Sequence, residues 1–165
     1  MRVLAVDVGM RICGYVLCEI NRLDIELIKQ GQLKPDSRQS LAKKLNYIFE
    51  ALEREILECK PQAIIVEKLY SHYRHPTTLG VLAQVRGVVA LLSCQRRVSF
   101  FEYSPTRARK SFLGRGSALS SQVKKMAENM TGKKFNSEHT ADAFSLVVAF
   151  SHDQKLKRIE AALER

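Results

Sequence analysis

Val3-Leu4-Ala5-Val6-Asp7-Val8-Gly9 is an apolar run interrupted by one carboxylate. A short run dense in aliphatic residues and closed by glycine reads as a buried strand. A second run, Ala63-Ile64-Ile65-Val66-Glu67, has the same form and also ends on an acid. Continuous apolar strands of this kind are buried on both faces in α/β proteins. A carboxylate set into such a strand is costly to bury unless it is paired or holds a cation. Asp142 repeats the anomaly in a helix-like stretch, His139-Thr140-Ala141-Asp142-Ala143-Phe144, one helical turn after His139. Four polar residues far apart in sequence, all at the ends of apolar elements, point to one metal site assembled by the fold.

Working outward from these segments gives the architecture. Residues 14–20 form a strand joined to residues 2–8 by the tight Gly9-to-Gly14 connection. A third strand, around 24–33, follows a turn at Asn21-Arg22 and ends near Pro35, which makes an antiparallel meander. Leu41, Leu45, Ile48, Phe49, Leu52 and Ile56 then repeat at helical spacing, with Asp36 or Ser37 as the expected N-cap and Pro61 closing the connection. Strand 63–67 is followed by a polar loop, Ser71 to Pro76, and a helix over 77–95 with a broad apolar surface. Val98 to Tyr103 is a strand, 105–112 a short basic helix, Gly114-Arg115-Gly116 a loop, and 119–130 a helix. A last helix begins near Ser137-Glu138, runs through Phe150, and carries a charged extension over 151–165. The order β-β-β-α-β-α-β-α-α-α predicts an α/β fold: a mixed five-stranded sheet, antiparallel meander plus two parallel strands, flanked by helices. The 165 residues are expected to form a single domain with a real core.

Composition narrows the partners. Twenty-seven Lys and Arg against 17 Asp and Glu leave a formal net charge of +10, which favours polyanions and nucleic acid first. The longest uninterrupted apolar runs, Val88 to Leu92 and Leu146 to Phe150, are too short to span a membrane. The chain enters a strand at once, without a signal segment, so a cytoplasmic location without membrane association is expected. Cys13, Cys18, Cys59 and Cys94 show no CxxC spacing and read as reduced, mostly buried small residues.

The chemistry follows from the sheet. The first strand and strand 63–67 can be neighbours, which would place Asp7 and Glu67 together. His139 and Asp142, at i and i+3, can join them from one helix face. Such an oxygen-rich set suits Mg²⁺ or Mn²⁺. Two such ions about 4 Å apart can activate a water and stabilise the leaving oxygen in phosphodiester cleavage.

An ordered series of motifs accompanies these residues. Asp7-Val8-Gly9 is followed by Gly14-Tyr15, and Glu67 by Tyr70 three residues on. Gln84-Val85-Arg86-Gly87-Val88, Glu102-Tyr103-Ser104-Pro105, Gly114-Arg115-Gly116-Ser117-Ala118 and Ser121-Gln122-Val123 come next, and His139-Thr140-Ala141-Asp142-Ala143 closes the set. From about residue 2 to about residue 152 the chain resembles the RuvC family of Holliday junction resolvases, which have an RNase H-like fold. The resemblance implies a metal-dependent endonuclease that resolves four-way DNA junctions by paired symmetric cleavage. It implies Asp7, Glu67, His139 and Asp142 as catalytic and metal-holding residues, with two ions. The family often has Asp where this chain has His139, a residue that can hold a metal or act as a general base. It commonly has Lys at the position of Ser120, and that loss removes a cation from beside the phosphate. Arg109 stands where another functional Lys is expected and keeps its charge.

Four-way junction DNA presents phosphates from two strands, which a two-fold homodimer can address. The resemblance implies such a homodimer, with 77–95 contributing to its interface, and brings a branch-migration helicase into view as a further partner. Arg74, Arg86, Arg107, Arg109, Lys110, Arg115, Lys124 and Lys125 are candidate phosphate contacts whose binding weakens with salt. Tyr70 is a candidate for stacking on an unpaired base, whereas His72 and His75 read as solvated loop residues. The alternatives are a junction-binding protein with weak catalysis and a nuclease acting on other branched DNA or RNA. An actin-like ATPase reading of Asp7-Val8-Gly9 fails on length, because those folds duplicate the domain.

Overall fold

Strands β1 (Arg2–Asp7), β2 (Cys13–Ile20), β3 (Ile25–Leu33), β4 (Ala63–Glu67) and β5 (Ser99–Tyr103) form one sheet in the order β3-β2-β1-β4-β5. β1 pairs antiparallel with β2, and β2 with β3, while β1–β4 and β4–β5 are parallel. The computed structural model describes residues 1–21, 24–69 and 76–163. The expected meander and the two parallel strands are therefore both present. The Asn21-Arg22 turn falls partly outside the described residues, and the Ser71-to-Pro76 loop lies outside them up to residue 75.

Five helices cover the two faces: α1 (Leu41–Cys59), α2 (Pro76–Gln95), α3 (Pro105–Leu113), α4 (Ser120–Thr131) and α5 (Glu138–Leu163). Strand alternation divides the core between them. Val3 and Ala5 of β1, with Ala63 and Ile65 of β4, pack with Phe144, Val147 and Phe150 of α5. Leu4 and Val6, with Ile64 and Val66, pack with Ile48 and Leu52 of α1 and with Val85, Val89 and Leu92 of α2. α5 is buried on all sides from Ala143 to Ser151, which explains why its sequence reads as a continuous apolar segment rather than a stripe.

α1 begins later than its expected cap. Ser40, not Asp36 or Ser37, accepts the Lys43 N–H at 3.5 Å, because Asp36 is already engaged with the backbone and guanidinium of Arg38. The four cysteines are free, with only Cys94 exposed.

The expectation about membrane spans rested on uninterrupted runs and needs correction for α2. Thr77–Gln95 is long and apolar enough to cross a membrane by length and composition alone. Its packing is that of a helix on a sheet. Val85, Val89 and Leu92 are buried against β4 and α1 neighbours, and Arg86 pairs with Glu102 of β5.

Candidate active site

Asp7 is the last residue of β1 and Glu67 the last of β4. The two strands are parallel, with Val6 opposite Val66, so the next residue of each lies at the same height. Both acids fall on the odd-numbered face, shared with Ala5 and Ile65, and that face is covered by α5. Register and alternation together bring two carboxylates to one end of the sheet, under the start of one helix.

The start of α5 is fixed by its own cap and by a missing side chain. Ser137 Oγ accepts the Thr140 N–H at 3.2 Å, and Thr140 Oγ1 accepts the Ser137 N–H at 3.2 Å, a reciprocal capping box. Gly14 of β2 lies directly beneath. A Cβ there would fall 2.6 Å from the carbonyl oxygen of His139 and 2.7 Å from its Cβ, so only glycine lets the helix approach this closely.

The approach completes the cluster. His139 Nδ1 lies 2.7 Å from Asp7 Oδ2. Asp142 is held from the other side, where Ser120 Oγ donates to its Oδ2 at 2.7 Å and Arg109 Nη2 donates to its Oδ1 at 3.2 Å. Arg109 is itself fixed by donating to Ser120 Oγ and to the Ala118 carbonyl, each at 2.9 Å. The structure thus brings together all four sequence-predicted ligands, and adds Ser120 and Arg109 as their immediate partners.

Burial and like charge dominate the electrostatics. Glu67 is pushed up to about 8, first by desolvation and then by the Asp7 and Asp142 carboxylates, with Arg109 opposing. Asp7 is also raised, by burial above all, although His139 draws it down. His139 is raised above its ordinary 6.5, chiefly by its hydrogen bond to Asp7. Asp7 and Glu67, whose charged forms burial and neighbouring carboxylates disfavour, are part of a donor set in need of more cation than Arg109 and His139 supply. One nitrogen and several oxygens fit a divalent ion of the Mg²⁺ or Mn²⁺ class. Among the described residues, the one trio whose ligand atoms all lie within 4.8 Å of one another is elsewhere, at Glu55, Glu58 and Cys59. There Lys29 already supplies the positive charge, 2.8 Å from Glu55 and 3.4 Å from Glu58. The set at the strand ends is more open, as suits a centre completed by waters and substrate oxygens.

The candidate phosphate contacts divide into two groups. Arg86 pairs with Glu102, and Arg107 reaches Asp153 at 2.7 Å while lying over the Tyr103 ring. Arg109 is committed to Asp142. Lys110, Arg115 and Lys125 are exposed and Lys124 half-buried, with no ion pair among the described residues. Tyr70 and Arg74 lie outside the described residues.

A family profile described as "Crossover junction endodeoxyribonuclease RuvC" matches residues 3–152. The chain belongs to the RuvC family. A crossover junction endodeoxyribonuclease RuvC of Parvibaculum lavamentivorans is 33% identical over 164 residues, covering 98% of this chain and 93% of that one. The fold is similar to that of Thermus thermophilus RuvC, with a TM-score of 0.83, 18% identity, and coverage of 95% and 97% of the two chains. T. thermophilus RuvC in complex with Holliday junction substrate gives a TM-score of 0.82 at 16% identity, covering 93% and 96%. The five-stranded sheet described above is accordingly the RNase H-like fold of RuvC. At position 120 the hydroxyl of Ser120 links Arg109 to Asp142, accepting from the guanidinium and donating to the carboxylate.

Proposed function

We propose that this chain is a metal-dependent endonuclease that resolves four-way DNA junctions by paired symmetric nicks, in recombination and repair. One observation carries the reading: Asp7 and Glu67 close adjacent parallel strands directly under His139 and Asp142. The cluster lies in a chain of the RuvC family with ten more basic than acidic groups. Asp7, Glu67, His139 and Asp142 would hold two ions, Mg²⁺ with Mn²⁺ as substitute. Bound there, they supply the charge that activates a water and stabilises the leaving oxygen.

The chain's own residues do the rest. Asp7 fixes the His139 ring through Nδ1, which leaves Nε2 as the atom that can bind a ligand or exchange a proton. Ser120 and Arg109 hold the Asp142 carboxylate in one orientation, and Arg109 keeps positive charge beside it. Lys110, Arg115 and Lys124 are the phosphate contacts best placed to be free, with Tyr70 for stacking and Arg74, Arg86 and Arg107 as further backbone contacts. Purified protein should nick a synthetic four-way junction only with Mg²⁺ or Mn²⁺. Asp7→Asn should abolish nicking while preserving binding, and cleavage surviving that change would sink the assignment.

The reading includes a homodimer formed through α2. Val85, Val89 and Leu92 face the core, whereas Gly80, Gln84, Gly87, Leu91 and Cys94 recur at exposed positions on the opposite side. Leu91 is 55% exposed, and nothing lies within 4 Å of a Cβ at Gly80 or Gly87, so a second helix can approach closely. Leu91→Arg should convert a dimer to a monomer by light scattering. The reading also takes residues 1–165 as one nuclease domain working in the cytoplasm at the nucleoid. A branch-migration helicase is its further partner, testable by co-purification of the intact proteins.

A further inference from the structure

Beside the carboxylate cluster, a groove of about 960 Å³ opens between the β1–β2 connection, the β3–α1 connection and the start of α2. His139 belongs to both places: its Nδ1 rests on Asp7, and its ring borders the groove. Met10, Ile12, Val81 and Leu82 supply an apolar lining, while Arg11 and Lys44 bring positive charge to it. Among the described residues, no carboxylate lines the groove. Arg11 is exposed and has no ion pair or side-chain hydrogen bond among the described residues. Among the described residues, the Lys44 ammonium is held only by the Ser37 carbonyl, at 2.8 Å.

We infer that this groove receives the nucleotide adjoining the cleaved phosphate, with its base unstacked on the apolar lining and its phosphate gripped by Arg11 and Lys44. The inference rests on the nuclease reading above and deepens it by assigning the strand its path. A volume at the upper end of the about 300–1,000 Å³ typical of ligand pockets admits a whole nucleotide. Apolar walls with cationic groups and no acid match a molecule with one anionic group and one flat apolar face. A paired base inside a duplex offers no such face, whereas a nucleotide splayed out at a junction does.

Electrostatics gives the groove its purpose. The cleaved phosphate must sit among three carboxylates, which repel it. Arg109, Arg86 and Arg107 are already paired with Asp142, Glu102 and Asp153. Arg11 and Lys44, on the same side as His139, are the cations that can hold the strand in place from the adjoining position. They carry no role in ion chemistry, so they act as positioning residues for the backbone.

The test separates this subsite from the active-site reading. In an Asp7→Asn background, which binds without cutting, affinity for a synthetic four-way junction is measured against salt with Arg11→Ala and Lys44→Ala. Each change should weaken binding about tenfold and lower the salt slope by about 1, as for one lost phosphate contact. Arg11→Lys should restore most of its loss. In the otherwise native enzyme, the Arg11→Ala/Lys44→Ala pair should raise KM with kcat nearly unchanged. A single methylphosphonate walked along the cleaved strand should weaken the native protein most at one position beside the cleaved phosphate. At that position alone, the double variant should show no further loss. A 2-aminopurine placed there should brighten on binding as it leaves the stack. Unchanged affinity in both single variants, or equal further losses at every methylphosphonate position, would overturn the subsite. Nicking that survives Asp7→Asn would instead overturn the active-site reading and leave the binding result to stand on its own.

Discussion

β1 and β4 present two faces, and the faces end differently. Toward α1 and α2 the sequence runs Leu4, Val6, Val8 and Ile64, Val66, apolar to the last residue. Toward α5 it runs Val3, Ala5 and Ala63, Ile65, and then turns acidic at Asp7 and Glu67. The same backbone thus builds a stabilising surface on one side and a repulsive cluster on the other. A functional end can be costly while its supporting strands remain unambiguous, because alternation insulates one face from the other.

The comparison breaks most readily at residues 6 and 7. Val6 is fully buried on the apolar face. Val6→Asp should destabilise the fold by about 3–5 kcal/mol, the penalty of an uncompensated buried charge, as read by denaturant unfolding. Asp7→Asn, one residue away, should do the reverse. It should cut junction cleavage by at least about a thousandfold, roughly 4 kcal/mol of barrier, while leaving stability equal or higher. If both substitutions destabilise alike, the faces are not distinct in the way described.

Arg109 tests the middle of the range. Arg109→Ala leaves Asp142 facing Asp7 and Glu67 without its cation, and should lower cleavage by about 10- to 100-fold. Arg109→Lys should recover part of this, since the charge returns without the bond geometry that also reaches Ser120 and Ala118. Full activity in Arg109→Ala would mean that its ion pair has no bearing on the site.

The smallest expected effect is on pH dependence. In metal-free protein Glu67 keeps its proton up to about pH 8, against 4.5 in the unfolded chain. Its contribution to stability is therefore complete below about pH 4.5 and lost as pH rises through about 8. Asp7 and His139, both raised, add in the same direction. Melting temperature in EDTA should fall from pH 5 to pH 8, and Mg²⁺ should restore it at pH 8 by charge neutralisation and mass action. A flat profile would show that the acidic face carries no such repulsion.

Much of this was legible in the sequence, for an identifiable reason. Asp7, Glu67 and Asp142 interrupt apolar patterns, and an interruption is visible without any partner. The five strands and five helices were likewise carried by local periodicity. Pairing between distant residues was not. Nothing near Arg107 announces Asp153, and nothing near Arg109 announces Asp142, so internal ion pairs read as free cations. Asp36 and Ser37 both read as the α1 cap because both are capping residues, whereas in the fold Arg38 claims Asp36. Ser120 read as a loss, yet its hydroxyl joins Arg109 to Asp142. Arg11, in the β1–β2 connection, and Lys44, in the first turn of α1, are brought to one groove only by the folded sheet. The available signal was a cation inside the tight Gly9-to-Gly14 turn.

The parallel alignment of Val6 with Val66 also governs how this gene can change. Exchanging one aliphatic residue for another in β1 or β4 keeps the odd and even positions where they are. Deleting a single codon between the start of either strand and its acid leaves overall hydropathy almost untouched. It also rotates every upstream side chain to the opposite face, or draws the carboxylate out from under α5. Descent can therefore rewrite the spelling of these two strands freely, but not their length.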